Sequence, residues 1–412
     1  MHGCGRLKWV HWVGLGLLLA GCSASPPPSY PAWAPAEKPF APAESSSNAF
    51  DGYTIAARMA EDATEKYNNR VYFTPGQRLQ VVKACGPALA LVRRSSAKHC
   101  DFRFVSQPPF ALSPNHIGWR MIRNSLAWQI DSNVAAKNFD VAVSLTILAS
   151  KVGFDLSGGA AKDADLGLQM VDDARRAITP VLPDLSPNQL SALTSGLKAA
   201  LERKPDFTQV VENERLNMLQ AVQMVQDCYQ KDDFTVIRTA LGNEVRDAID
   251  FLKQIKRDDA KKRPAYFEGF VEEANAICES MRKKASLPMV KRTEDLDPVL
   301  AESRPWRRFS KQFFEALGPA LEKEDACIAR TRLLILTSEI YRQIKVAKQA
   351  PKNLGGFSRD LTLDPYTGQP FKYRSNGTEF YLYSAGANFQ DDQGATDSTF
   401  SSPDLTLETG RR

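Results

Sequence analysis

Histidine is scarce in this chain of 412 residues, which contains only four. His2 and His11 lie in the N-terminal segment, so only His99 and His116 remain for a zinc site or a Ser-His-Asp triad. The chain also lacks a Walker phosphate loop, an HExxH helix, a GxSxG elbow and paired CxxC motifs. These absences leave no positive support for an enzyme. A carboxylate-based hydrolase needs no such motif and stays open.

A dominant charge of either sign is also missing. The chain carries 53 Lys and Arg residues against 48 Asp and Glu residues, a formal net charge of +5. Two of the basic residues, Arg6 and Lys8, precede an apolar N-terminal run. So balanced a chain has no strong field for nucleic acid, and we predict no nucleic-acid partner.

The N-terminus has the pattern of an export signal. Arg6 and Lys8 are followed by an apolar run over residues 9–20, which is too short to span a bilayer comfortably. The run ends in Leu19-Ala20-Gly21-Cys22, which resembles the lipobox of bacterial lipoproteins. The resemblance implies that a signal peptide, residues 1–21, is removed and that lipid is attached to the thiol of Cys22.

This resemblance also implies a location. A lipid-anchored chain is a membrane-attached protein of the bacterial cell envelope, and its lipid is its contact with the membrane. An aspartate directly after the anchor would resemble an inner-membrane retention signal. Here that position is Ser23. The expectation is therefore the outer membrane, with the protein facing the periplasm or the cell surface.

A linker rich in Pro, Ala and Ser follows the anchor, over residues 22–49. Such a composition does not bury enough apolar surface to fold. As a polyproline II spacer of about 3.1 Å per residue, it reaches on the order of 80 Å. We therefore expect the folded body to stand away from the lipid.

Five cysteines follow the anchor: Cys85, Cys100, Cys228, Cys278 and Cys327. Outside the cytoplasm thiols form disulfides, and Cys85 with Cys100 or Cys228 with Cys278 would each tie neighbouring helices together. The alternative is that several of them are small apolar core residues. Both interpretations stay open at this point.

Helical signals dominate residues 50–320. Helix-capping residues predict helix starts near residues 75, 114, 187 and 207, because Ser, Thr or Asp is followed by an apolar or Pro first turn. Apolar residues then recur at helical spacing, as in Ala164, Leu168, Val171, Ala174 and Ile178. The pattern predicts a mainly α fold, either a multi-helix antiparallel bundle or a short solenoid.

A glycine pair stands at Ser157-Gly158-Gly159-Ala160, ahead of one predicted helix. Glycines in this position can cradle a phosphate with backbone N–H groups. However, no lysine and serine follow in P-loop spacing, and Asp163 and Asp165 would repel an anion. We interpret the pair as a turn.

The C-terminal part, residues 321–412, combines a helix with a predicted β-hairpin. The helix runs from about residue 323 to Lys348 and stops before Pro351. Asn376-Gly377 is typical of a two-residue turn. The predicted cross-strand pairs are Ser375–Thr378, Arg374–Glu379, Tyr373–Phe380 and Phe371–Leu382. We therefore expect a small α+β module.

The sequence from Asp364 to Arg374 reads Asp-Pro-x-x-Gly-x-Pro-aromatic-x-Tyr-Arg, and the hairpin is followed by Asn388, Asp391 and Asp392. This pattern resembles the globular part of type II secretion pseudopilins. The resemblance implies calcium bound by Asn388, Asp391 and Asp392, with Asp397 or Asp404 as further ligands. Hard oxygen ligands of this kind suit calcium.

Three functions follow as expectations. The first is a non-catalytic cell-envelope lipoprotein whose helical domain binds or scaffolds an envelope protein partner. The second is an accessory component of a type II secretion or type IV pilus-like machine, from the pseudopilin resemblance alone. The third is an envelope hydrolase that uses carboxylates.

Overall fold

The fold is seen in a computed structural model that describes residues 41–103, 114–231, 263–293, 296, 317–394 and 404–407. This part of the chain is mainly helical, with a small three-stranded antiparallel sheet near the C-terminus. The predicted fold class is therefore confirmed. Cys22, Asp397 and the side chain of Cys228 lie outside the described residues.

The described helices are α1 Ala49–Ala63, α2 Pro75–Ala84, α3 Gly86–Ser95, α4 His116–Ala135, α5 Phe139–Leu156, α6 Ala161–Ile178, α7 Pro187–Glu202, α8 Phe207–Lys231, α9 Arg263–Ala285, α10 Leu317–Ala347 and α11 Arg359–Thr362. The strands are β1 Lys372–Asn376, β2 Glu379–Ser384 and β3 Leu405–Thr406. None of the helices in the described part is both long enough and apolar enough to cross a membrane.

Capping chemistry fixes the starts of α2 and α7 at the predicted residues. Helices α2 and α7 each begin with a capping box, Thr74 with Gln77 and Ser186 with Gln189, followed by proline in the first turn. Helix α8 begins at residue 207, and α4 begins at residue 116, two positions later than expected. Two of the four helix starts thus show the full reciprocal cap.

The helices form a bundle around one main core. Helix α10 packs against both α6 and α7, although it is far from them in sequence. In a solenoid each unit contacts only its neighbours, so the bundle alternative is the one observed. The described residues, from 41 onward, belong to one compact unit. The expected boundary between residues 320 and 321 falls within the first turn of α10, a helix that packs into the bundle.

Small residues allow two helix pairs to approach closely. A Cβ atom added at Gly118 of α4 would lie 1.9 Å from the carbonyl oxygen of Ala57 in α1. Gly153 of α5 and Gly167 of α6 face each other. A Cβ atom added at Gly153 would lie 2.5 Å from the carbonyl oxygen of Gly167, and one added at Gly167 would lie 2.4 Å from that of Gly153. Only glycine permits these backbone contacts, which bring α5 and α6 together.

Helices α8 and α9 form an antiparallel pair. Arg282, near the end of α9, donates to Glu212, near the start of α8, at 2.7 Å. Phe267 and Phe270 of α9 are fully buried. The first turns of α8 also contact α6, so this pair is an extension of the bundle.

The end of the predicted linker belongs to the folded body. Asn48 caps α1 and its side-chain amide donates to the carbonyl oxygen of Asp101 at 2.8 Å. Lys98 Nζ donates to the carbonyl oxygen of Ser46 at 2.7 Å. These contacts dock the residues just before α1 onto the loop after α3, so the linker ends earlier than residue 49.

The glycine pair forms a turn, as interpreted from the sequence. The backbone N–H of Ala161, at the start of α6, donates to the carboxylate of Glu214 at 2.6 Å. The side chain of Asn213 donates to the carbonyl oxygen of Gly158 at 2.7 Å. A carboxylate of the chain itself therefore occupies the place at this helix N-terminus that favours an anion.

The hairpin is present, but its predicted register is wrong. The observed pairs are Asn376↔Glu379, Ser375↔Phe380, Arg374↔Tyr381, Tyr373↔Leu382 and Lys372↔Tyr383. The turn residues are Gly377 and Thr378, and of these only Gly377 has a positive φ, of 62°. This is the pattern of a turn with glycine at the first central position, rather than the Asn-Gly turn expected. The partners shift by two residues, which keeps each side chain on its predicted face.

The Asp364 turn joins the hairpin to the bundle. The buried carboxylate of Asp364 accepts from the Tyr366 N–H at 3.0 Å and from the Ser384 hydroxyl at 2.8 Å. Nη1 of Arg332, on α10, donates to the carbonyl oxygen of Leu363 at 2.8 Å. Burial raises the pKa of Asp364. The motif that resembles the pseudopilin pattern is thus a packed structural turn.

Candidate functional site

The candidate site is a groove bounded by α2, α4, α6 and the loop before α2, with a cavity volume of about 530 Å³. We call it the α2–α4–α6 groove. It is lined by Val71, Tyr72, Phe73, Arg78, Arg123, Asn124, Ala127, Trp128, Asp131, Asp173, Arg176 and Ala177. A volume of this size lies within the range of known ligand pockets, about 300–1,000 Å³.

Aromatic rings form one wall of the groove. The ring of Phe73 lies 5.1 Å from that of Trp128, centroid to centroid, and 6.2 Å from that of Tyr67. The capping box of Thr74 starts α2 directly after Phe73. The local sequence therefore places this ring at the N-terminal end of the helix. Tilted contacts of this kind stabilise ring pairs.

Arg78 covers the Trp128 ring. Its guanidinium carbon lies 5.5 Å from the ring centroid, within the range of a cation–π contact. Its Nε also donates to the carbonyl oxygen of Phe73 at 3.3 Å. The guanidinium is therefore held in place on an aromatic surface before any ligand arrives.

The opposite wall carries a second arginine group. Nε of Arg123 donates to Asp173 at 2.7 Å, and its Nη1 donates to Gln169 at 2.5 Å. Arg176 also donates to Asp173. Arg176 also lies 3.8 Å from Asp172, so each of the two guanidinium groups on this wall is paired with a carboxylate.

Asp131 is the second acid of the groove. Burial raises its pKa, the charge of Arg78 lowers it, and the nearby Asp173 raises it again, with a net upward shift. The lining as a whole contains three arginines and two aspartates, without serine, threonine, cysteine, histidine or lysine. The groove therefore has groups that recognise a ligand but no serine, threonine or cysteine nucleophile.

Large apolar side chains stand at the rim of the groove. Val71 is 77% exposed and Tyr72 is 89% exposed, and both line the groove. Leu79, on α2 but outside the lining, is 71% exposed. Val81 is the buried residue of α2, so this helix presents most of its surface to solvent. Apolar side chains exposed side by side at a groove mark an interaction site.

The predicted calcium ligands are brought into one loop, but they bind protein groups. Asp391 accepts from the Tyr383 hydroxyl at 2.8 Å and from Lys372 Nζ at 3.1 Å. The Asn388 amide donates to Asp392 at 2.8 Å.

Asp404 accepts from the Gly394 N–H at 2.7 Å. Within the described ranges, no group of three or more Asp, Glu, His or Cys residues converges to hold a metal ion. The ammonium of Lys372 supplies the positive charge beside Asp391. The described part of this loop therefore does not fit the calcium site that the resemblance implies.

The first disulfide that the sequence left open is absent, since Cys85 and Cys100 are both free thiols. They have different surroundings: the Cys85 thiol interacts with Ser125, whereas Cys100 lies beside Asp155 and Arg203. Burial raises the pKa of both thiols. These two cysteines pack as apolar residues.

The second disulfide that the sequence left open, Cys228 with Cys278, does not fit the helix pair either. Cys278 is a free, buried thiol that lies beside Arg215 and Glu212 at the start of α8. Cys228 follows Arg215 by thirteen residues on α8. At 1.5 Å per residue, this is about 20 Å along the helix. A disulfide does not bridge that distance.

His99 and His116 do not form a site together. His99 is exposed and lies 3.0 Å from Asp101 in the loop after α3. His116 is half-buried at the start of α4, where burial and the charge of Arg120 lower its pKa. Neither residue lines the groove.

The sequence alone did not indicate the groove. Its main residues, Tyr72, Arg78, Trp128 and Asp173, come from four separate places in the chain. The one local signal of the groove is the apolar run 71–73, directly before the capping box. These three apolar residues lie outside any helix, so the helical pattern does not explain them. Helix packing brings the others to it.

Comparison of the chain with protein families, with characterised proteins and with solved structures finds no match.

Proposed function

We propose that the protein is a non-catalytic cell-envelope lipoprotein that binds a partner protein in the α2–α4–α6 groove. Lipid on Cys22 holds the chain on the membrane, and the Pro-rich spacer places the helical body away from it. Two or three acyl chains, at about 0.8 kcal/mol per buried methylene, suffice for lasting attachment.

The observation that carries the binding function is the composition of the groove. Arginine, tryptophan and tyrosine are the residues most enriched where protein interfaces gain their energy. Arg78, Trp128 and Tyr72 lie together in this groove. Its lining contains no serine, threonine, cysteine or histidine, so recognition is the activity that these residues support best.

The anchor is tested with Cys22→Ser and a metabolically incorporated alkyne fatty acid. We expect the wild-type chain to carry the label and to pellet with membranes, and the variant to lose both properties. Loss of the label shows lipidation at this position. Membrane pelleting that is unchanged by the substitution would contradict the proposed anchor.

The groove is tested by photo-crosslinking in intact cells. A photoreactive residue at Tyr72, on the groove rim, should give a discrete crosslinked protein. The matched control is Tyr381, which is 56% exposed on the hairpin and lies outside the groove. The same products at both positions, or none at Tyr72, would contradict a partner in the groove.

A carboxylate hydrolase is the second candidate, because Asp131 and Asp173 line the same groove. The raised pKa of Asp131 suits a proton donor. Digestion of purified peptidoglycan by the lipid-free chain, lost in Asp131→Asn, would favour this function over binding.

A role beside a secretion or pilus machine is the third candidate. It is favoured by the Asp364 turn and the hairpin packed on α10, which follow the pseudopilin-like motif. Purification from detergent-solubilised membranes with the anchor intact would recover secretion components if this role is correct.

A further inference from the structure

The rim of the groove has an apolar character that suits peptide side chains. Val71 and Tyr72 line the groove and are among the large apolar residues exposed in the described chain. Aliphatic and aromatic groups of this kind gain most by covering apolar side chains of a partner. This part of the surface therefore favours a protein segment over a glycan.

The interior of the groove attracts negative charge. Arg123 and Arg176 both bind the carboxylate of Asp173. Arg176, whose side chain is 61% exposed, also lies 3.8 Å from Asp172. The groove lining, with three arginines and two aspartates, still has a surplus of positive charge. Arg78 uses Nε for its bond to the Phe73 carbonyl. Its Nη1 and Nη2 make no hydrogen bond within the described part of the chain, so they are available to an acceptor.

The position of Arg78 prepares it for a carboxylate. Its guanidinium is planar and always charged, and it binds a carboxylate through two parallel hydrogen bonds. Contact with Trp128 already restricts its rotation. A ligand therefore avoids much of the entropy cost of ordering this side chain.

The aspartates of the groove determine which kind of anion it favours. Asp131 and Asp173 line the same groove as the arginines and would repel a phosphate dianion more than a single carboxylate. A Glu or Asp side chain carries one charge and matches the small surplus of the arginines. The groove thus fits an acidic side chain better than a phosphate.

We propose that the α2–α4–α6 groove binds an acidic peptide segment of a partner protein in which Asp or Glu lies beside an apolar residue. The carboxylate binds Arg78, and the apolar residue covers Tyr72 and its rim neighbours. This assignment rests on the proposed binding function and specifies its ligand.

The test begins with a displayed library of random short peptides. The target is the full mature chain with Cys22→Ser, which lacks lipid. We expect the selected peptides to be enriched in Asp or Glu next to aromatic or aliphatic residues. A synthetic copy of one selected peptide then serves as the probe in all binding measurements.

Substitutions at the groove should weaken this probe in a defined way. Arg78→Glu should weaken binding about tenfold or more, and Tyr72→Ala should have an effect of similar size. The matched control is Arg374→Glu, because Arg374 also lies on a tyrosine ring, at 4.4 Å from Tyr381, but on the hairpin. This control should bind the probe as the wild type does.

A charge swap separates direct contact from altered folding. A probe whose acid is replaced by Lys should bind Arg78→Glu better than it binds the wild type. Thermal melting verifies that Arg78→Glu is folded, and Arg78→Gln replaces it if it is not. A structural role of Arg78 alone would give no such exchange of preference.

Three results would overturn the assignment. They are selected peptides without acidic residues, a probe affinity that Arg78→Glu does not change, and soluble peptidoglycan strands that displace the probe. If crosslinking at Tyr72 still traps one protein in cells, the binding function survives and only its acidic specificity fails. If neither assay finds a partner, both fail.

Discussion

The guanidinium of Arg203 binds the carboxylate of Asp155 through two hydrogen bonds, of 3.0 Å from Nε to Oδ1 and 2.6 Å from Nη2 to Oδ2. The Tyr53 hydroxyl donates to the same carboxylate at 2.7 Å. Arg203 also donates to the carbonyl oxygens of Ser96 and Lys98. One buried cluster therefore joins α1, α5 and α7 to the loop that follows α3.

Asp155→Ala should destabilise the protein strongly. The substitution leaves Arg203 half-buried without its carboxylate, and breaking a buried pair in this way costs about 3–5 kcal/mol. Urea denaturation should show this fall in the free energy of unfolding. The control is Arg94→Ala, whose pair with Glu44 is exposed and contributes about 0–1 kcal/mol. Equal effects of the two substitutions would contradict the role of the cluster.

Gly167→Ala should also destabilise the protein, for a steric reason. Its added Cβ would lie 2.4 Å from the carbonyl oxygen of Gly153, so α5 and α6 would have to separate. Overpacking of this kind costs about 1–3 kcal/mol. Thermal melting is the measurement.

The matched control for this prediction is Gly76→Ala in α2, where an added Cβ meets nothing within 4 Å. Alanine favours helix over glycine by up to about 1 kcal/mol. The control should therefore be neutral or stabilising. A loss of stability in Gly76→Ala as large as that in Gly167→Ala would show that close helix packing is not the cause.

Glu214 should make stability depend on pH. Burial is the main cause that raises its pKa, while the Ala161 N–H and Asn217 lower it, with a net upward shift. A carboxyl group with a raised pKa in the folded state binds its proton more tightly there than in the unfolded chain. Its contribution to stability is therefore fully present below the unfolded pKa and is lost as pH rises through the folded pKa.

Glu214→Gln tests this sign, because glutamine is neutral at every pH. The difference in unfolding free energy, wild type minus variant, should fall as pH rises from the unfolded pKa of about 4.3. Urea titrations over this range give the difference. Repeating them at high salt screens the exposed charges. A difference that grows with pH would refute the prediction.

Calcium should not stabilise the C-terminal loop. Lys372, Tyr383 and backbone N–H groups already bind the carboxylates of Asp391 and Asp404, and a cation would have to displace them. The melting temperature of the mature chain should be the same in calcium and in EGTA. Magnesium at equal ionic strength is the control. A rise specific to calcium would restore the metal site.

Short-range chemistry explains why the helix starts and the buried apolar stripe could be predicted from the sequence. The capping boxes at Thr74 and Ser186 fixed helix starts, because the groups that satisfy the first N–H donors lie three residues away. The apolar stripe that ends at Ile178 is buried as expected. Helix positions and the mainly α class follow from such local rules.

The hairpin shows where local rules stop. Its two strands and their faces follow from alternation, but the register depends on which residues form the turn. Ala350, just after α10, donates to the carbonyl oxygen of Gly377 at 2.8 Å. The bundle thus holds the Gly377-Thr378 turn, a contact that the local sequence does not encode.

The amino-acid sequence by itself determined the helices, their caps, the near-balanced charge and the lipobox resemblance at Cys22, since each depends on neighbouring residues. Only the tertiary structure decided that α10 lies within the bundle, that Glu214 fills the α6 N-terminus and that Tyr72, Arg78 and Trp128 share a groove. The physical reason is distance along the chain. Contacts between remote segments depend on how whole helices pack, and no local pattern specifies that packing.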